Sequence, residues 1–130
     1  KRQATGCCPE SKLAKTYANH PEEITGRTVV RLAREGDSLA QDVVNDMATW
    51  LGRGLALVQD VFDPSLIVLG GGVSQDADLL LPTAQDIMAK NIVGAGHRQV
   101  ARVVQAQLGG DAGMIGVALL ARREAGVTRP

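Results

Sequence analysis

Leu66-Ile67-Val68-Leu69-Gly70-Gly71-Gly72-Val73-Ser74 is an apolar run that ends in three consecutive glycines. Four branched aliphatics without polar alternation read as a strand covered on both faces. The glycines then predict a tight turn into a helix, because a residue without a Cβ reaches positive φ and lets a ligand approach the main chain. A helix starting just beyond would aim unpaired N–H groups and partial positive charge at an anion in that turn. The stretch therefore predicts a phosphate or nucleotide site at Gly70, Gly71 and Gly72, although an ordinary strand-to-helix turn fits the same residues equally well. It does not match G-x-G-x-x-G, since position 75 is Gln, and no Gly-Lys pair supplies a P-loop lysine.

On the N-terminal side of this run, Asp63-Pro64 ends the preceding segment, because proline disfavours the α conformation in the residue before it. Upstream lies the long helix of the chain, opened by the capping-box pattern Ser38-Leu39-Ala40-Gln41. Its apolar residues Val43, Val44, Met47, Leu51, Leu55, Val58 and Phe62 recur mostly at spacings of three and four and predict one continuous face. Ala48, Gly52 and Ala56 form a row of small residues on the same helix, suited to close approach of another element or to a subunit interface. A shorter helix is expected from about Glu23 to Gly36, and residues 1–22 are expected to be irregular or a frayed helix.

Downstream, a helix is predicted from Leu80 or Leu81 to Asn91 with Pro82 in its first turn, then a strand from Ala101 to Leu108. Gly109-Gly110-Asp111 makes the next turn, with Asp111 as the N-cap of a last helix running to about Ala125. Two strands separated by a helix imply parallel pairing, hence an α/β domain of parallel strands covered by helices. Two strands make a poor sheet, and the first residue is Lys rather than Met, so the chain reads as the back part of something larger.

Composition narrows the function classes. The 130 residues are 45% apolar and 22% charged, as in a soluble globular domain. Fourteen basic residues balance fourteen acidic ones, and aromatic residues make up only 2%, which leaves neither a basic footprint nor a stacking platform for nucleic acid. No apolar stretch reaches the roughly 18 residues that span a bilayer, and no signal peptide is apparent, so a cytoplasmic location is the default expectation. Cys7 and Cys8 are adjacent, a poor arrangement for one tetrahedral zinc and a strained one for a disulfide. A site built from Cys7, Cys8 and His20 is conceivable, but two reduced thiols are the simpler reading.

Taken together, Ile67-Val68-Leu69-Gly70-Gly71-Gly72-Val73-Ser74 and Leu108-Gly109-Gly110-Asp111-Ala112-Gly113-Met114-Ile115-Gly116-Val117-Ala118 resemble the C-terminal part of the ROK family of bacterial sugar kinases and sugar-responsive repressors. The resemblance covers about residues 23–122, and Ile24-Thr25-Gly26-Arg27 with Asp63-Pro64 look closest to the glucokinases. It implies the C-terminal part of an actin-like ATPase (ribonuclease H-like) domain over 23–130, with residues 1–22 a remnant of a zinc and sugar motif. Gly70, Gly71 and Gly72 match the family's adenosine motif, and the helix with Gly113 and Gly116 matches its second connecting motif near the interdomain hinge. The implied activity is transfer of phosphate from ATP, with Mg, to the 6-hydroxyl of a sugar. A homodimer and a sugar substrate are the implied partners, with no membrane.

The alternative within the family is the effector domain of a repressor, which would add nucleic acid to the partners. The family's C-x-C-G-x-x-G-C-x-E motif holds a structural zinc through its cysteines and contacts the sugar through its glutamate. Laid over residues 1–10 without gaps it retains only Cys8 and Glu10. One thiolate cannot hold a structural zinc, so no metal ligand is expected, and Glu10 is carried over as the sugar-binding residue. The family's catalytic aspartate lies upstream of the matched region. No catalytic residue is therefore assigned to Asp60, Asp63, Asp76, Asp78 or Asp111, and the chain alone is expected to be inactive.

Overall fold

A computed structural model describes residues 11–126 of the chain. In order the elements are α1 (Lys12–Asn19), α2 (Gly26–Arg34), α3 (Ser38–Phe62), β1 (Leu66–Leu69), α4 (Ala77–Asn91), β2 (Arg102–Gln105) and α5 (Ala112–Glu124). Short 3₁₀ turns occupy Pro21–Glu23, Gly72–Asp76 and Gly109–Asp111. Among these residues no helix is long and apolar enough to cross a membrane.

Of the two expectations for residues 1–22, irregular or a frayed helix, α1 takes the helical one over Lys12–Asn19. Ser11 caps it locally, accepting from the Ala14 N–H at 3.1 Å, and a residue far away in sequence adds to that. Asp37 accepts hydrogen bonds from the N–H groups of Lys12 at 2.6 Å and Leu13 at 3.3 Å and from the Ser11 hydroxyl at 2.9 Å. The same carboxylate accepts from the Ala40 N–H at 3.0 Å, so one side chain caps α1 and α3 together. The N-cap of α3 is thus Asp37, one residue before the predicted Ser38. Burial works against the Asp37 charge, yet these donors together hold its carboxyl below the usual carboxylate range. A depressed folded-state pKa adds stability above the unfolded value of about 4 and loses it as pH falls through the folded value. Acid titration followed by circular dichroism should therefore show α1 and the start of α3 loosening first at low pH. Asp37→Ala should cost about 1–2 kcal/mol at neutral pH and flatten that acid limb; an unchanged limb would refute the shared cap.

The long helix divides its apolar residues differently from the expected single face. Leu39, Ala40, Val44, Ala48, Gly52, Leu55, Ala56 and Gln59 are buried, whereas Val43, Met47, Val58 and Phe62 are exposed. The reason is the small-residue row. A Cβ added at Gly52 would lie 2.5 Å from the Ala84 carbonyl oxygen and 2.7 Å from the Ile87 Cβ, so α3 and α4 approach closely along Ala48, Gly52 and Ala56. That row packs against α4, the close approach of another element that was the first of its two expected uses, and not the subunit interface that was the second. α4 starts at Ala77, one turn earlier than predicted, and Pro82 sits inside it rather than in its first turn. Pro82 has no N–H for the i→i−4 bond, and burial of Leu80, Ala84 and Met88 against α3 holds the helix despite that loss.

β1 and β2 pair in parallel, with Leu66 opposite Arg102 and Leu69 opposite Gln105. The ladder continues through the Arg102 N–H to the Ser65 carbonyl and the Ala106 N–H to the Leu69 carbonyl, at 3.1 and 2.8 Å. One face of the sheet joins the core through Ile67 and Val103, with Leu55, Ala56, Ala84, Met88 and Ile92. On the other face Leu66 and Val68 are exposed, so the expectation of strands covered on both sides holds for one side only among the described residues. α5 buries no residue and presents Met114, Val117 and Leu120 to solvent.

Candidate functional site

Parallel pairing sends both strands toward the same edge, so their following turns meet there. Gly70, Gly71 and Gly72 leave β1, Gly109 and Asp111 follow β2, and the two 3₁₀ turns pack against one another. In open parallel sheets this carboxyl edge is where ligands bind. The sequence places the two glycine motifs some forty residues apart; the fold makes them neighbours.

Gly71 has φ 86° and ψ −175°, a region that only glycine occupies without strain. The turn is pinned by Ser74, which is fully buried and donates its hydroxyl to the Gly71 carbonyl at 2.7 Å, with its N–H on the same oxygen at 3.2 Å. Ser74 closes the apolar and glycine run without a role of its own in the sequence pattern; a small hydroxyl three residues after a positive-φ glycine is the signal for one. The outside of the turn is open. A Cβ at Gly71, Gly72 or Gly109 would meet nothing within 4 Å, and one at Gly70 only the Ala106 Cβ at 3.7 Å. Main-chain groups here are reachable by a flat ligand.

One element of the expectation changes. Residues 72–76 form a 3₁₀ turn, so α4 does not open directly beyond the glycines, and no side chain caps it at Asp76. Asp78 stands in its first turn, bound by the Arg34 guanidinium at 2.7 and 2.8 Å, with Asp76 also within 3.3 Å of Arg34. The hydrogen bonds from Arg34 hold the Asp78 carboxyl below its ordinary range, and Asp78 in turn holds Arg34 charged. This pairing ties the end of α2 to the start of α4 behind the turn. Any attraction for an anion therefore rests on main-chain N–H groups of the turns more than on the α4 dipole. Likewise Asp111 occupies the N-cap position of α5 but makes no capping bond through its side chain.

A cavity of about 230 Å³ opens at the amino edge of the sheet, lined by Gln59, Asp63, Arg98 and Ala101 among others. It lies at the opposite end of the strands, roughly 13 Å from the glycine turns. Arg98 there donates to Asp60 at 2.9 Å, to Asp63 at 2.7 Å and to the Gln59 carbonyl at 3.0 Å. Gln59, buried, accepts from the Ala101 N–H at 2.9 Å and donates to Asp63 at 3.1 Å. Asp63 itself ends α3 in a left-handed conformation with φ 46°, the cap that Asp63-Pro64 foretold only as a stop. With its arginine neutralised by two carboxylates, this cluster is a clasp between the end of α3 and the segment that leads into β2.

Of the remaining residues named from the sequence, Asp76 and Asp111 end the two 3₁₀ turns at the glycine edge, and the others do not join it. Glu10, Cys7 and Cys8 lie outside the described residues. His20 is exposed beside Glu22, and no cluster of three potential metal ligands occurs among the described residues. Asp60 and Asp63 belong to the clasp, and Asp76 and Asp78 to the Arg34 pairing. A Cβ at Gly113 or Gly116 would meet nothing within 4 Å, so no close packing of α5 is made at either position among the described residues.

Two parallel strands with helices packed on one face make this an α/β arrangement, with the paired glycine turns at its carboxyl edge. The ROK family model matches residues 5–124, and the chain belongs to the ROK family. It is 41% identical over 102 residues to a glucokinase of Streptomyces coelicolor, covering 78% of this chain and 32% of that protein. It is 30% identical over 101 residues to the DNA-binding transcriptional repressor Mlc of Escherichia coli, covering 78% of this chain and 25% of the repressor. Among solved structures, the ROK family glucokinase of Streptomyces griseus in complex with glucose and AMPPNP superposes with a TM-score of 0.73 at 40% identity, over 78% of this chain and 33% of that one. The chain thus spans about a third of the length of the glucokinases it matches.

Proposed function

We propose that this chain is the C-terminal portion of an ATP-dependent sugar kinase of glucokinase type, and that it supplies the adenosine side of the cleft. The observation that carries the reading is the juxtaposition of Gly70–Gly72 with Gly109 at the carboxyl edge, open on its outer side. ATP, with Mg, would supply the transferable phosphoryl group. Gly70, Gly71 and Gly72 would lie against the nucleotide, with Ser74 holding the Gly71 carbonyl so that the turn keeps its shape when empty. The relative crystallised with glucose and AMPPNP supports this choice of ligands. The exposed Leu66 and Val68 face would take a covering layer of helices, as the faces of a parallel sheet require, and the cytoplasm is where such a kinase would meet ATP. Glu10, carried over by resemblance, would contact the sugar.

The residue that deprotonates the sugar hydroxyl is expected upstream, so residues 11–126 bind and orient without providing the base. Accordingly the 130-residue chain should show no turnover in a coupled assay with glucose and Mg-ATP; turnover clearly above background would contradict this division of labour. Binding is tested separately. Amide shifts of the labelled chain titrated with AMPPNP should move at Gly70–Gly72 and Gly109, and shifts confined to the Arg98 cavity would relocate the site. A sugar-sensing repressor domain is the second reading, favoured by the match to Mlc. It predicts that glucose but not AMPPNP perturbs the chain or its complete parent.

A further inference from the structure

The glycine turn is held at two ends, and only one of the holds lies within it. At its entry Ser74 fixes the Gly71 carbonyl. Its exit is the 3₁₀ turn Gly72–Asp76, a conformation whose own hydrogen bonds are poorer in geometry than those of an α-helix. Asp76 occupies the N-cap position of α4, where an aspartate ordinarily accepts from the N–H two or three residues on. Here it makes no such bond. Its carboxylate is instead 3.3 Å from the Arg34 guanidinium, which also holds Asp78 through two nitrogens at 2.7 and 2.8 Å. Asp76 thus forgoes a stabilising cap in favour of a contact with a distant helix.

Arg34 ends α2, whose Leu32 and Ala33 are buried in one cluster with Leu39, Ala40 and Leu80. Gly36 at φ 89° closes that helix, and the Asp37 N–H returns to the Leu32 carbonyl at 3.0 Å. The guanidinium therefore stands on a fixed base. Its planar fork grips two carboxylates, one on each side of the buried Ala77. Stability alone is a poor reason for this arrangement, because the three side chains are 31 to 59% exposed and exposed ion pairs contribute little to folding. What the pairing does fix is the place where the glycine turn becomes α4.

We infer that Arg34 is a positioning residue for the glycine turn, setting through Asp76 and Asp78 the shape in which Gly70–Gly72 receive a nucleotide. The inference rests on the nucleotide reading of that edge, and its test separates the two. The labelled 130-residue chain is titrated with AMPPNP and, separately, with adenosine, and the amide shifts of Gly70–Gly72 give each affinity. Arg34→Ala should weaken both ligands about 5-fold, while its melting curve stays close to that of the unaltered chain. Arg34→Lys keeps the charge but not the fork, so it should lose nearly as much. Asp76→Ala combined with Asp78→Ala should weaken both ligands to a similar extent. Adding Arg34→Ala to that pair should then cost nothing further, as residues acting through one contact do. A loss seen with AMPPNP but not adenosine, or full rescue by lysine, would overturn positioning in favour of simple charge neutralisation. Affinity that falls only together with the melting temperature would overturn it as well, leaving a purely structural pair. Unchanged affinities, with shifts still at Gly70–Gly72, would overturn it and leave the nucleotide reading standing. No response of the unaltered chain to either ligand would overturn both.

Discussion

Gly52→Ala should lower the stability of the chain by about 2–3 kcal/mol, although alanine is the better helix former. In an ordinary helix interior the substitution gains about 0.5–1 kcal/mol. Here the new methyl would sit 2.5 Å from the Ala84 carbonyl oxygen and within 3 Å of two Ile87 carbons, and the nearest of these is backbone that cannot swing away. The α3–α4 pair must then separate along the row that buries Ala48, Ala56, Ala84 and Met88. Gly54→Ala is the control. Its Cβ enters open space, so it should raise the melting temperature while Gly52→Ala lowers it. Equal effects at the two positions would mean that the contact with α4 does not set the sign.

The second large effect separates ligand from fold at the glycine turn. Gly71→Ala places a side chain at φ 86°, which should cost about 1–3 kcal/mol of stability whether or not anything binds there. Gly72 has a negative φ and open space where a Cβ would stand, so Gly72→Val should leave the melting curve nearly unchanged. If the turn faces a nucleotide, the same valine should weaken AMPPNP binding at least about 10-fold, equivalent to about 1.4 kcal/mol. Calorimetric titration beside a melting curve on the two variants reads both quantities. Full AMPPNP affinity in a stably folded Gly72→Val variant would remove the nucleotide from this edge.

Much of the glycine edge was legible because its signals are local. An aliphatic run feeding three glycines specifies strand and turn, and the parallel pairing follows from strands separated by a helix. The family resemblance rested on the same residues, and the ROK family model matches across them. α1 was legible only as one of two alternatives, because its local Ser11 cap is joined by hydrogen bonds to Asp37, more than twenty residues away. The assignment of faces on α3 failed for a related reason. Hydrophobicity alone ranks Met47 and Phe62 above Ala48 and Gly52, but close approach of α4 selects the residues that take least room.

Residue chemistry within short windows was enough for the element order from α2 onward, the stop at Asp63-Pro64, the parallel strands and the three glycines at the edge. These depend on backbone freedom, helix periodicity and proline chemistry, all of which act within a few residues. Long-range packing chose which face of α3 is core, made Asp37 cap two helices, set Arg34 on the start of α4, and brought together the turns after β1 and β2. Those outcomes depend on which distant groups come within hydrogen-bond or van der Waals range. Such forces vanish over a few ångströms and leave no period in the chain to be read.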